Sequence, residues 1–188
     1  MKTLFYKYLS ISAIVIALDL YTKHMIQQSF LFGDLHSVTS FFDLVRYHNE
    51  GSAFGFLNDA GGWQKWFFNG ISIVASIVII YLLKKHSQNN NQNEKLFCAG
   101  LALVLGGAVG NLYDRITLGY VVDFLNFHLN NRYWPAFNVA DSAICVGVVL
   151  LIFGEFKYDE EWPLFKYSRS AGYRRLSRFL SRKDKSKK

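Results

Sequence analysis

Four long runs of apolar residues, with nearly all the polar residues gathered between them, govern what this 188-residue chain can fold into. Half of the residues (51%) are hydrophobic, but the bunching matters more than the average. A soluble helical domain would show one apolar stripe per helix, whereas these runs are apolar on every face. Such helices are stable in lipid, and crossing the hydrocarbon core takes roughly 20 predominantly apolar residues. The runs lie at about 4–26, 67–83, 96–112 and 139–156, and the stretches 71–83 and 143–153 carry no charge at all. The first run is the weakest, because Lys7, Asp19 and Lys23 fall inside or beside it. Its start is like that of a signal peptide, but no small-x-small cleavage site follows, so it is expected to remain as an uncleaved span. The fold class expected is an α-helical integral membrane protein of one domain with four transmembrane helices.

The distribution of basic residues orients these spans. Four crossings place both termini and the loop between spans two and three on one side. That side holds Lys2, Lys7, Lys84, Lys85, Lys95 and every basic residue from Lys157 onward. The other side keeps Lys23, Arg46, Lys65, Arg115 and Arg132. The positive-inside rule then puts both termini in the cytoplasm and the larger loops, about 27–66 and 113–138, outside. Trp63, Trp66, Tyr133 and Trp134 at the outer ends, and Tyr81, Tyr158 and Trp162 at the inner ones, fit aromatic belts. The net charge of +7 comes mostly from the tail beyond 156. Tyr173, Leu176, Phe179 and Leu180 recur there at helical spacing among basic residues, so the partner expected for the tail is the anionic lipid surface rather than nucleic acid. A solvated tail is the plainer alternative.

In the first outer loop, 38–48 is rich in β-branched and aromatic residues, and Gly51 and Gly55 punctuate a further short run at 52–57. This pattern predicts a small antiparallel sheet in that loop, lying on the membrane surface, with a turn at Asp59-Ala60-Gly61-Gly62. The inner loop 86–94 reads as a polar connector. Cys98 and Cys145 are placed at different depths, so both are expected to be free thiols used for packing.

An ionisable residue in a span costs on the order of 2.5–3.5 kcal/mol at a helix centre, so each one calls for a reason. Asp19, Lys23, Asp114, Arg115, Asp123 and Asp141 come from separate parts of the chain and map to one depth, the outer ends of the spans. Convergence of this kind points to a functional site. No HExxH, GxSxG or phosphate-binding glycine loop is present, and the five histidines (His24, His36, His48, His86, His128) are scattered, so neither a metal nor a cofactor is expected. Carboxylates remain. Two of them side by side share a proton, which supplies a base for water and an acid for a carbonyl oxygen. Asp141 alone could simply cap a helix N-terminus, but that would leave Asp123 without an explanation.

Five blocks now combine: Asp19-Leu20-Tyr21-Thr22-Lys23, Asn49-Glu50-Gly51-Ser52-Ala53-Phe54-Gly55, Gly106-Gly107-Ala108-Val109-Gly110-Asn111-Leu112-Tyr113-Asp114-Arg115, Val121-Val122-Asp123-Phe124 and Phe137-Asn138-Val139-Ala140-Asp141-Ser142. In sequence and order they resemble the signature blocks of bacterial lipoprotein signal peptidases (signal peptidase II). The resemblance implies an aspartic endopeptidase of the bacterial inner membrane that cleaves diacylglyceryl-modified prolipoproteins before the lipidated cysteine, with globomycin as inhibitor. It implies Asp123 and Asp141 as catalytic residues. Asp19, Lys23, Asn49, Gly107, Gly110, Asn111, Asp114, Arg115, Asn138 and Ala140 match its supporting positions. The asparagines and Arg115 are expected to fix substrate or aspartates by hydrogen bonds, and Gly107 and Gly110 to admit close approach. Ion pairs Asp19–Lys23 and Asp114–Arg115 are the purely structural alternative.

Three other readings compete. A proton-coupled transporter also uses membrane carboxylates, but its polar groups should line the whole depth, and spans two and three are expected to have none at their midplane. A scaffold needs no convergent aspartates. A Ser/Lys peptidase using Ser142 and Lys23 is the third, and replacing Ser142 with Ala would separate it from the aspartyl reading.

Overall fold

The computed structural model describes residues 2–51, 63–88, 92–130 and 132–156. The run 52–57, the turn 59–62 and the basic tail beyond 156 lie outside the described residues. Four helices, α1 (Lys2–Ser29), α2 (Gln64–His86), α3 (Gln92–Thr117) and α4 (Val139–Phe156), accompany four strands. The strands are β1 (Leu35–Thr39), β2 (Phe42–Asn49), β3 (Val121–Leu129) and β4 (Arg132–Tyr133). Three helical stretches, Leu4–Ser29, Trp66–His86 and Glu94–Thr117, are long and apolar enough to cross a membrane. The fourth apolar stretch, Val139–Gly154, is shorter. In lipid every backbone amide must be satisfied within its own segment, which makes these runs helical whatever the individual propensities.

Helix α3 packs against each of the other three helices. Small residues let it approach them closely. A Cβ on Gly107 would run into the carbonyl oxygen of Ala140 on α4, and one on Gly110 would lie 2.6 Å from Oδ2 of Asp19 on α1. Both glycines therefore serve contact between helices. Ile79, Leu83, Cys98, Leu101 and Leu105 form the buried cluster at the inner half of the bundle, with Phe5 and Tyr8 against it. Glu94 is buried and its carboxylate lies 2.9 Å from His86 Nδ1, tying the start of α3 to the end of α2. Ser76 does lie midway along α2, but its hydroxyl donates to the Ser72 carbonyl at 2.7 Å, within the helix itself. Both cysteines are free, Cys98 buried and Cys145 exposed.

The sheet differs in one respect from what the sequence predicts. It is antiparallel with order β1-β2-β3-β4, so half of its strands come from the second outer loop. Val121, Val122, Phe124 and Phe127 make β3 a strand by composition, and pairing with β2 sets Tyr47 opposite Asp123 and Asn49 opposite Val121. Arg46 fastens the sheet to α1: its guanidinium donates to the carbonyls of Gln27 and Phe30, satisfying groups that the helix end leaves open. Ile26, Val122 and Phe124 are buried together at this junction. The result is a sheet held rigidly over the ends of α1, α3 and α4.

Gly107→Val should show how much the α3–α4 contact matters. The added carbons would press on the Ala140 backbone carbonyl and the Ile144 side chain, and overpacking of this kind costs about 1–3 kcal/mol. The expected result is a clear drop in the thermal midpoint of the detergent-solubilised chain, with Gly70→Val, at a helical position with open space, as a measure of the backbone effect alone.

Candidate active site

Asn138 is the N-cap of α4, and its relation to Asp141 is reciprocal. The Asp141 N–H donates to Asn138 Oδ1 at 2.9 Å, and the Asn138 N–H donates to Asp141 Oδ2 at 3.3 Å. This is the geometry of a capping box with Asn and Asp in place of Ser and Glu. The capping role of Asp141 is therefore real, but it occupies only one of the two carboxylate oxygens. Oδ1 accepts from the side-chain amide of Asn111 at 2.8 Å.

Asp123 meets the same residue from above. Asn138 Nδ2 donates to Asp123 Oδ1 at 2.8 Å, with Asn111 Oδ1 at 3.2 Å and the Val122 carbonyl at 3.3 Å as further acceptors. Asn49 Nδ2 donates to Asp123 Oδ2 at 3.0 Å. One residue, Asn138, thus links both carboxylates, its side-chain amide bonding Asp123 and its backbone N–H bonding Asp141, and each carboxylate takes two amide donors. Asp123 is 3% exposed, whereas Asp141 is half-buried and lines a cavity of about 470 Å³. Burial, and then the negative charge of Asp141, push the Asp123 carboxyl up to about 7, against the opposing pull of Asn49, Lys23 and Asn138.

Beneath the pair lies a fully buried cation. Lys23 Nζ has Asp19 Oδ2 at 2.7 Å, Asn111 Oδ1 at 2.9 Å and Asp114 Oδ2 at 3.1 Å, so its three donors meet three acceptors. Asp19 Oδ1 accepts the Ala140 N–H at 2.9 Å, another open donor of the α4 N-terminus, and Asp114 Oδ2 accepts the Val122 N–H at 3.1 Å. The Lys23 ammonium therefore holds in place the groups that hold Asp123 and Asp141. The Asp19–Lys23 ion pair exists. Asp114, however, pairs with Lys23 and not with Arg115, since adjacent residues on a helix point about 100° apart. Arg115 instead donates to the Gly51 carbonyl at 3.3 Å, lies over the Phe68 ring at 5.6 Å and lines the cavity.

Apart from Arg115 on the cavity wall, the candidate residues fall into three groups. Asp123, Asp141, Asn49, Asn111 and Asn138 form one hydrogen-bonded network, and Asp19, Lys23, Asp114 and Ala140 support it from below. Gly107 and Gly110 provide the close helix contacts. Ser142 donates to the Asn138 carbonyl at 2.9 Å, and the donors of Lys23 are all engaged, so a Ser142–Lys23 pair has no geometry behind it. The sequence does not reveal the opposite cavity wall, Trp134 to Phe137, whose only sequence signal is a run of aromatic residues around Pro135.

The bundle and the overlying sheet define a helical membrane protein that holds two linked carboxylates beside a cavity. Residues 11–157 match the family described as signal peptidase (SPase) II. Lipoprotein signal peptidases of Paraburkholderia phytofirmans and Ralstonia nicotianae are each 51% identical over 150 residues, covering 80% of this chain and 84% of theirs. One from Janthinobacterium sp. is also 51% identical, with 88% of it covered. A solved bacterial membrane enzyme, determined by the in meso method at 2.3 Å resolution, superposes with a TM-score of 0.71 at 30% identity, covering 82% of this chain and 90% of that one. The chain belongs to the signal peptidase II family, the membrane proteases that process lipoproteins.

Proposed function

We propose that this chain is a four-span aspartic endopeptidase that removes the signal peptide from diacylglyceryl-modified prolipoproteins, cutting before the lipidated cysteine. The observation that carries the reading is the joint hold of Asn138 on Asp123 and Asp141 at the end of a cavity. Asp123, the more buried of the two, holds the shared proton at rest. Asp141, facing the cavity, is the carboxylate that takes a proton from water as its oxygen attacks the scissile carbonyl. Asp123 gives its proton to the carbonyl oxygen, forming a neutral tetrahedral diol. Collapse of the diol breaks the C–N bond, with the Asp141 proton passing to the leaving nitrogen and a diol proton returning to Asp123. The pair is then restored.

The site lies at the end of the helices where the sheet sits, which the basic-residue asymmetry assigns to the periplasmic face of the inner membrane. A lipid-anchored substrate can reach it by lateral diffusion. A reporter fused after Lys188 is accordingly expected to read cytoplasm and one inserted near Asp59 periplasm; a periplasmic C-terminus would rule out the four-span arrangement. The function itself is tested by incubating the purified chain with lipidated and unlipidated forms of one prolipoprotein. Cleavage of the lipidated form alone, blocked by globomycin, is the expected outcome, and cleavage indifferent to both would remove the substrate assignment.

A further inference from the structure

Buried in the sheet, apart from the carboxylate network, is a second polar group that the proposed chemistry does not use. Asp43 on β2 is 1% exposed and pairs in register with Asn126 on β3, itself 4% exposed. Asp43 Oδ2 lies 3.3 Å from His128 Nε2. By strand alternation Asn126 and His128 lie on one face of β3 and Asp123 on the other. A buried side-chain amide costs free energy unless it is well bonded. Here the bond goes to one target: Asn126 Nδ2 donates to the Trp134 carbonyl at 2.8 Å.

The other fastenings lead to the same segment. The Trp134 N–H donates to the Phe127 carbonyl at 2.7 Å, and Phe137 exchanges hydrogen bonds with Leu125 at 3.0 and 2.8 Å. The His128 ring stacks on Tyr133 with centroids 5.0 Å apart. Between these anchors Pro135 has no N–H to donate, so the strap depends on its ends. Trp134, Pro135, Ala136 and Phe137 form the cavity wall facing Asp141.

We infer that Asn126, with His128 stacked on Tyr133 beside it, is a positioning residue that fixes the Trp134–Phe137 strap as the wall of the catalytic cavity and so sets how tightly the substrate peptide is held. The inference rests on the peptidase reading above. Asn126 bonds to neither aspartate, so losing its grip alters the fit of the bound peptide and leaves the proton transfers intact. Its effect belongs in KM.

The test is steady-state cleavage of a lipidated prolipoprotein by the purified full chain in detergent. Asn126→Ala is expected to raise KM about tenfold while kcat stays within about threefold, and Trp134→Ala to raise KM as well. Because both act through one strap, the double variant should raise KM by less than the product of the single effects. If Asn126→Ala does not accumulate in folded form, His128→Gln serves with the same criterion, since it keeps a donor towards Asp43 and removes the ring from Tyr133. An unchanged KM, a loss confined to kcat, or fully multiplicative KM effects would overturn the inference. A wild-type chain that cuts nothing would sink the peptidase reading and this inference with it, a failure distinguished from the others because it precedes any substitution.

Discussion

Asp123→Asn and Asp141→Asn are each expected to abolish cleavage, by about 10³-fold or more, in protein that still inserts and unfolds at nearly the wild-type temperature. Asparagine keeps the size of the side chain, but its single oxygen accepts only one of the two donors each carboxylate holds, Asn49 or Asn138 at 123 and Asn111 or the Asn138 N–H at 141; that loss of about 1 kcal/mol is offset in part because no charge is left to bury. The variant side chain can neither draw a proton from water nor release one to a carbonyl. The double variant should be no worse than either single one, because the two groups work as a unit. Comparison of initial rates with purified variants checks this. Appreciable turnover by either single variant, with no wild-type enzyme present, would take that aspartate out of the chemistry.

The second large effect is on stability. Lys23→Met removes the cation shared by Asp19, Asp114 and Asn111, leaving two carboxylates buried at 0% and 3% exposure without that counterion. Breaking a buried ion pair by deleting one partner costs about 3–5 kcal/mol. Thermal unfolding in detergent should show a midpoint many degrees lower, and activity should fall too, since Asn111 loses the partner that orients it towards Asp141. Asp19→Asn should be milder: its oxygen still accepts the Ala140 N–H, and Lys23 keeps Asp114. Equal losses from the two substitutions would mean that the lysine is not the centre of this cluster.

How much of this was legible in the sequence depended on the range of the interaction. The apolar runs specify helices directly, because lipid leaves the backbone no alternative. The first hairpin was legible for the same local reason, as a β-branched and aromatic stretch. β3 is harder to read: its strand character is interrupted by Asp123, Asn126 and His128, and those polar residues are accounted for by partners outside the strand, Asn49 and Asp43 on β2 and Trp134 beyond the following turn. The same holds for Asp114, whose partner Lys23 lies two spans earlier while its neighbour Arg115 turns towards Gly51. Asn138 is visible in the sequence as a signature residue, and the capping role is read there for Asp141 alone. That it joins the two aspartates becomes apparent only when β3 is laid over the start of α4.

The most direct test of the paired-carboxylate chemistry is the dependence of single-turnover cleavage on pH. With burial and the Asp141 charge pushing Asp123 up to about 7, raising the pH through that value strips the shared proton and leaves no acid for the carbonyl. Lowering the pH far enough protonates the second carboxylate and leaves no base for water. The profile should therefore be a bell whose alkaline limb falls near pH 7, both limbs belonging to the pair as a whole. A rate that keeps climbing above about pH 9, as expected for a hydroxyl nucleophile activated by a lysine, would contradict the account.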